Sequence, residues 1–199
     1  MNVRLDPIEI DLRDGRRIRI RESAPDDAPA LSAFIAQLAE DAPYIGMNPG
    51  ETPTPEQVLE RLADVDSRPG SLALLGEAVE QPGVVVGDCQ LISWTREKTR
   101  HSASVGMGIV AGWQGVGLGR ALLGAAVEWA RANPALWRLD LGVAPENEAA
   151  LKLYKGLGFE VEGRKRWCFL QPDGTLIDDV CMGLWVGPED QRPRESATR

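Results

Sequence analysis

The sequence predicts an α/β domain of the α+β kind, built on a single mixed, largely antiparallel sheet flanked by helices. Three observations favour it. Several short runs alternate apolar and polar residues as strands do, while other runs repeat apolar residues at helical spacing. A glycine-rich turn, residues 114–120, joins a strand-like run to a helix-like run. The order of elements lacks the regular alternation of a doubly wound sheet.

The first elements are a hairpin and two helices. Apolar and charged residues alternate over residues 8–22, and Asp14-Gly15 interrupts them as a hairpin turn does. A helix is predicted next, over residues 26–40. The second helix begins with a capping box, in which Thr54 precedes Gln57 by three residues.

The remaining elements are strands interrupted by two further helices. Helical spacing predicts a helix over residues 120–132, which Asn133-Pro134 ends. A short helix is predicted over 146–157, with Gly156 and Gly158 as stop signals. The strands are predicted over residues 72–79, 84–94, 102–111, 138–144, 159–170 and 176–186.

Length and composition predict one domain followed by a tail. A chain of 199 residues is long enough to bury a sizeable core. Residues 1–186 contain all the predicted elements. Residues 187–199 are rich in proline and charge, so they are predicted to form a disordered tail.

Charge and cysteine content exclude several classes of protein. A net charge of −8 argues against nucleic-acid binding, which needs a basic face. No signal peptide or long apolar run is seen, so no membrane association is expected. Three widely spaced cysteines form neither a disulfide framework nor a zinc site. We therefore expect a cytoplasmic protein without a metal.

The glycine turn predicts a site for a phosphate group. Glycines between a strand and a helix free several backbone N–H groups at the positive end of the helix dipole. A P-loop is disfavoured because no lysine follows the glycines. Residues 106–111 match the alanine-ended dinucleotide fingerprint, but residues 112–114 after them do not begin a helix. The third hypothesis is an acyl-coenzyme A pyrophosphate loop.

Two sequence blocks support the third hypothesis. Residues 105–110 followed by 113–123 match a strand, pyrophosphate loop and helix of the GCN5-related N-acetyltransferase (GNAT) family. Residues 139–143, 147–154 and 158–159 match that family's next strand and helix. Because both blocks occur in the family's order and spacing, the chain resembles this family over residues 101–160, and the flanking elements extend the resemblance.

The resemblance implies that acetyl-coenzyme A is the acetyl donor. Its pantetheine arm is expected along the strand before the glycine turn, where a local break in the sheet would free backbone groups. The implied cofactor-binding residues are Met107, Gly108, Ile109, Val110, Gln114, Gly115, Val116, Gly117, Leu118, Gly119, Arg120 and Asn147.

The resemblance also implies catalytic residues. Tyr154 lies two helical turns after Asn147, on the same helix face, and is expected to protonate the departing thiolate. Relatives carry a glutamate base where Ser104 or Gly142 stands here. Asp140, on the same strand face as Gly142, is a candidate for the base. Other acids lie near the acceptor pocket that the resemblance implies: Glu22, Asp26, Asp27, Glu40 and Asp41. Water or an already neutral amine would make a base unnecessary.

The function implied is N-acetylation of a primary amine on a small molecule, an amino acid or a peptide N-terminus. The alternative is a degenerate acyl-coenzyme A-binding sensor without turnover, since the glutamates are missing. Family members often dimerise, so a homodimer is consistent with the resemblance. The aromatic side chains that could line an acceptor pocket are expected mostly to fill the core: Tyr44, Trp94, Trp113, Trp137 and Trp167.

Overall fold

The computed structural model describes residues 4–41, 44, 47–48, 50–171 and 173–192. The strands are β1 Ile8–Asp11, β2 Arg17–Glu22, β3 Leu72–Ala78, β4 Val85–Ser93, β5 Ser102–Ile109, β6 Arg138–Val143, β7 Glu160–Leu170 and β8 Leu176–Trp185. The α-helices are α1 Ala28–Asp41, α2 Pro55–Ser67, α3 Leu118–Ala132 and α4 Glu148–Lys155. Short 3-10 turns are found at Pro25–Asp27, Ala111–Trp113 and Glu189–Gln191.

A single eight-stranded sheet organises the domain, in the order β1-β2-β3-β4-β5-β6-β8-β7. All neighbouring strands are antiparallel except β5 and β6, which are parallel. The predicted mixed, largely antiparallel sheet is therefore confirmed, and each predicted helix and strand is present with ends shifted by at most two residues. Residues 42, 43, 45, 46 and 49 of the predicted loop at 42–53, and Pro172 of the last turn, lie outside the described residues.

Local capping decides where two helices begin. The hydroxyl of Thr54 accepts the N–H of Gln57 at 3.4 Å, and Gln57 Oε1 accepts the N–H of Thr54 at 2.9 Å, so the predicted capping box forms. Helix α3 begins at Leu118, two residues before the predicted start. Gly117 has φ +106° there, a left-handed conformation that favours glycine and lets the helix start directly from the turn.

The helices divide between the two faces of the sheet. A Cβ added to Gly87 on β4 would lie 2.9 Å from Leu122 of α3. A Cβ added to Gly108 on β5 would overlap the side chain of Leu38 on α1. We call these the α3 face and the α1 face. Helix α4 lies beside α3, because a Cβ on Gly119 of α3 would lie 3.2 Å from Leu153 of α4.

The core lies on both faces of the central strands. Its largest fully buried side chains are Ile18, Ile20, Leu74, Leu75, Cys89, Leu91, Leu118, Leu122, Leu123, Leu136, Leu139 and Met182. The expectation that most of the pocket-candidate aromatics fill this core is wrong. Tyr44, Trp94, Trp137 and Trp167 are exposed, and Trp113 is half-buried. These residues lie in loops, at strand ends or on the outer hairpin, where the sheet has no covering helix.

The C-terminal segment differs from the predicted tail over its first six residues. The N–H of Gly187 donates to the carbonyl of Trp137 at 3.1 Å, and Trp185 Nε1 donates to the carbonyl of Pro188 at 3.3 Å. The 3-10 turn Glu189–Gln191 follows. Residues 187–192 thus pack against the domain, while 193–199 lie outside the described residues. Across the described part of the chain, no helix has the length and hydropathy needed to cross a membrane.

Candidate active site

A split between the parallel strands β5 and β6 forms the centre of the site. The two strands pair only at Ser102–Ser104 with Arg138–Asp140. Beyond that point β5 continues to Ile109 along β4, and β6 continues to Val143 along β8. The predicted break in the sheet is therefore a divergence of two strands, and the β4–β5 register shows no bulge.

The split exposes alternate backbone groups of β5. The N–H of Val110 donates to the carbonyl of Val86 on β4 at 3.2 Å. Because successive backbone groups of a strand point in opposite directions, Gly108 also faces β4, whereas Met107 and Ile109 face the split. Of the four predicted strand residues, Met107 and Ile109 are thus the ones whose backbone can bind a ligand there.

The glycine turn supplies the second part of the site. Among the described residues, no hydrogen bond uses the N–H groups of residues 115–120. The three that belong to the first turn of α3 also lie at the positive end of a 15-residue helix. These donors fit a pyrophosphate, as the glycine spacing predicts.

Two predicted residues of the turn have structural partners as well. Gln114 Nε2 donates to the carbonyl of Ile109 at 2.9 Å, which ties the turn to the end of β5. A Cβ on Gly119 would lie 3.1 Å from Ile109 and 3.2 Å from Leu153. Gly119 therefore allows α3 to pack closely against β5 and α4.

Sequence reasoning missed two arginines of the β1–β2 hairpin that lie at the turn. The N–H of Arg13 donates to the carbonyl of Val116 at 3.1 Å, and its side chain lies beside Gly117. Arg16 stacks on Trp113, 3.7 Å from the ring centroid, and donates to the carbonyl of Gly112 at 2.9 Å. Arg13 places positive charge at the predicted phosphate site of an acidic chain, whereas the charge of Arg16 is paired with Asp14. No local sequence pattern could predict the contact between Arg16 and Gly112, because nearly a hundred residues separate them.

Helix α4 carries the predicted Asn147 and Tyr154. Asn147 is the N-cap of the helix, and its Oδ1 accepts the N–H of Ala150 at 3.1 Å. Tyr154 is buried, with its ring packed against Phe159 at a centroid distance of 5.9 Å. Burial, together with nearby Cys89, raises the pKa of Tyr154 to about 12. The hydroxyl is therefore protonated throughout the neutral range.

The predicted base Asp140 lies on the α1 face of the split. Ser104 on β5 pairs with Asp140 on β6. Gly106 and Gly142 each lie two residues further along these strands, so these four residues and Gly108 share the α1 face. Asp140 itself forms an ion pair with Arg138, whose guanidinium also binds Glu162. This pairing holds the predicted base in a charge network.

Two buried carboxylates that the sequence did not indicate flank the split. Asp88, opposite Gly108, is buried on β4. Asp179, on β8, is buried against Gly142. The alternation of side chains along β4 and β8 could predict which face each aspartate lies on. Their position beside the split depends on the pairing of the strands, which the sequence does not show.

Comparison with known proteins decides the family. A sequence model of the acetyltransferase (GNAT) family matches residues 33–159, well over half of the chain. The chain belongs to this family. The L-amino acid N-acetyltransferase AaaT of Escherichia coli (strain K12) is 32% identical to it over 171 residues, which are 83% of this chain and 96% of that protein.

Solved structures of GNAT acetyltransferases share the fold. One from Streptococcus pneumoniae has a TM-score of 0.80 and 30% identity, over 84% of this chain and 99% of its own. A putative acetyltransferase from Salmonella typhimurium, solved with its cofactor acetyl-CoA, has a TM-score of 0.76 and 22% identity, over 90% and 99% of the two chains. The family, the fold and the enzyme class thus agree.

This GNAT protein is an N-acetyltransferase that transfers the acetyl group of acetyl-CoA to an amine. The comparisons do not favour the alternative, an acyl-CoA-binding sensor without turnover. No metal is required by the transfer itself, because backbone donors can polarise a thioester carbonyl.

Proposed function

We propose that this enzyme acetylates the α-amino group of a small free amino acid. The likeness to AaaT carries the proposal, because it covers 96% of a protein named for that activity. It therefore extends beyond the cofactor blocks to the strands around the acceptor side. Lys165, exposed on β7 and on the α1 face, offers a cation for the substrate carboxylate.

We propose that acetyl-CoA lies in the split with its pyrophosphate on residues 115–120. Met107 and Ile109 then bind the pantetheine arm and polarise the thioester carbonyl with their backbone N–H groups. Asn147, with Oδ1 engaged by its helix, can donate from Nδ2 to the cofactor. Holding both substrates in register supplies much of the remaining rate acceleration.

Tyr154 is proposed to act on the departing sulfur from the α3 face. A hydroxyl with a pKa of about 12 is a weaker acid than an ordinary phenol. Its contribution is therefore a hydrogen bond that strengthens as negative charge develops on the sulfur, with proton transfer as the thiolate leaves.

A coupled thiol-release assay with acetyl-CoA tests the acceptor class. The panel contains L-alanine, L-leucine and L-phenylalanine, their carboxamides, a peptide with a free N-terminal alanine, and a simple alkylamine. We expect the highest kcat/KM with a free amino acid and a lower value with its carboxamide, because the carboxylate contact is lost. Mass spectrometry of the product should show one added acetyl group.

Two outcomes would contradict this assignment. Turnover of the peptide alone would indicate a protein N-terminus as acceptor. Equal turnover of the amino acids and their carboxamides would show that the substrate carboxylate is not recognised. The N-acetylated amino acids serve as the control, since they have no free amine and should release no thiol.

We also propose a homodimer in the cytoplasm. The outer hairpin of β7 and β8 exposes large apolar side chains that a second copy would cover: Trp167, Phe169, Leu170 and Leu176. Size-exclusion chromatography with light scattering should give twice the mass of 21.6 kDa, and Leu170→Lys should lower it to that of one chain. Cys89, Cys168 and Cys181 are all unpaired, as in a reducing compartment.

A further inference from the structure

Asp179 has a buried oxygen that nothing in the described chain satisfies. The residue is 7% exposed, and its Oδ1 has no hydrogen-bond partner. Its other oxygen, Oδ2, forms a long ion pair with Lys165 Nζ at 3.9 Å, which is beyond hydrogen-bond distance. A buried carboxylate without hydrogen bonds is strongly unfavourable, and buried polar groups in folded proteins are nearly always paired. Such an exception points to a ligand that completes the pairing.

The position of Asp179 places this oxygen at the wall of the split. Gly142 pairs with Cys181, two residues after Asp179, so Asp179 and Gly142 are diagonal neighbours on one face. A Cβ on Gly142 would overlap both carboxylate oxygens of Asp179. The φ of Gly142 is not left-handed, so no turn requires glycine there. The missing side chain leaves the space that the carboxylate fills.

The charges around Asp179 leave it available to a cation. On β6, Asp140 is engaged by Arg138. On β7, Lys165 forms a long ion pair with Oδ2 but is mostly exposed and leaves Oδ1 without a partner. On β8, Cys181 lies two residues away on the same face. Across the split, β5 presents Gly106 and Gly108, which carry no charge.

We propose that Asp179 binds the ammonium group of the acceptor and takes its proton before attack on the thioester. This inference rests on the proposed function. The ammonium gives one proton to the carboxylate, and the neutral amine forms the C–N bond as the C–S bond breaks. The nitrogen then loses its second proton, the sulfur gains one, and one proton in total passes to solvent. The amine approaches from the α1 face, opposite Tyr154.

Asp179→Asn tests the proposal, with Asp178→Asn as the matched control. Asp178 lies on the same strand with its side chain on the opposite face, bonded to Arg164 and to the N–H of Trp167. For the best amino acid of the panel, Asp179→Asn should lower kcat/KM by about 10²-fold or more near neutral pH. The deficit should shrink as the pH approaches the pKa of the amine, because a neutral amine needs no base. Affinity for acetyl-CoA should be unchanged.

Moving the carboxylate from position 179 to position 142 distinguishes a role in catalysis from a purely structural role. Asp179→Ala frees the space beside Gly142, and Gly142→Asp in the same protein returns a carboxylate there from β6. The double variant should exceed Asp179→Ala in kcat/KM by about tenfold or more.

Distinct results would overturn the inference. Full activity of Asp179→Asn near neutral pH, or a loss equal at every pH together with a lower melting temperature, would make Asp179 a structural residue. A double variant that folds and binds acetyl-CoA without any recovery would also count against it. If the parent protein releases no thiol with any amine of the panel, the proposed function itself has failed.

Discussion

Asp88 and Gly108 lie opposite each other across β4 and β5, and the carboxylate of Asp88 accepts the N–H of Gly108 at 2.9 Å. Gln90 Nε2 lies 3.2 Å from the other oxygen. Burial nevertheless dominates and raises the pKa of Asp88 to about 7. A carboxyl group one strand away from the split therefore titrates in the neutral range.

This titration predicts how stability depends on pH. With a pKa raised from ~4 when unfolded, folded Asp88 holds a proton that the unfolded chain releases between those values. Its contribution to the free energy of unfolding is therefore most favourable below about pH 4 and falls as the pH rises to about 7. Asp88→Asn should stabilise the protein by roughly 2–4 kcal/mol at about pH 8 and much less at about pH 4. Urea unfolding at both pH values measures this, and an equal effect at both would contradict it.

Gly117→Val should weaken acetyl-CoA binding by about tenfold or more, because a side chain at φ +106° distorts the turn and moves its N–H groups. Gly117 is the sharper target, since Gly119 also has a packing role. Gly124→Ala is the matched control, because Gly124 lies within α3 and a Cβ there meets open space. Calorimetric titration of both folded variants with acetyl-CoA measures the change in affinity. Unchanged affinity in Gly117→Val would remove the pyrophosphate from this turn.

Arg13→Ala should raise the Kd for acetyl-CoA and make binding less sensitive to salt, because one cation near the phosphates is lost. Arg19→Ala removes the same charge from the same hairpin, but Arg19 pairs with Glu9 and should leave the Kd unchanged. Titrations at low and high salt compare the two variants. If both shift the Kd equally, the effect is one of net charge and not of position.

Tyr154→Phe should keep acetyl-CoA binding and lower kcat by about 10²-fold, since its hydrogen bond develops in the transition state. Because the pKa of Tyr154 is about 12, this factor should be constant across neutral and mildly basic pH. That behaviour contrasts with the pH-dependent deficit expected for Asp179→Asn. A variant that turns over at the parental rate, with chemistry rate-limiting, would make Tyr154 a packing residue.

Structural features that depend on residues close together in the chain could be predicted from the sequence. The capping box at Thr54, the hairpin turn at Asp14-Gly15 and the strand–glycine turn–helix unit each depend on contacts within a few residues. The alternation of apolar and polar residues then predicted which side chains share a face of each strand. Helix α3 begins earlier than predicted because Gly117 itself adopts the left-handed conformation that caps it.

Contacts between distant elements could not be predicted this way. Asp179 reaches Gly142 only through the β6–β8 register, and Arg13 reaches Val116 only through the packing of a hairpin on a loop. Both contacts join segments more than thirty residues apart, with no local pattern to mark them. The sequence therefore indicated the residues that we propose to bind the cofactor and missed the buried carboxylates Asp88 and Asp179 on the α1 face.

Amide hydrogen exchange with and without acetyl-CoA tests the central claim most directly, that the cofactor lies in the β5–β6 split with its pyrophosphate on the glycine turn. The N–H groups of Met107, Ile109 and residues 115–120 should exchange fast in the free protein and become protected on binding. Those of Gly108 and Val110, already bonded to β4, should change little. Protection elsewhere at saturating acetyl-CoA, with these amides unaffected, would contradict the account.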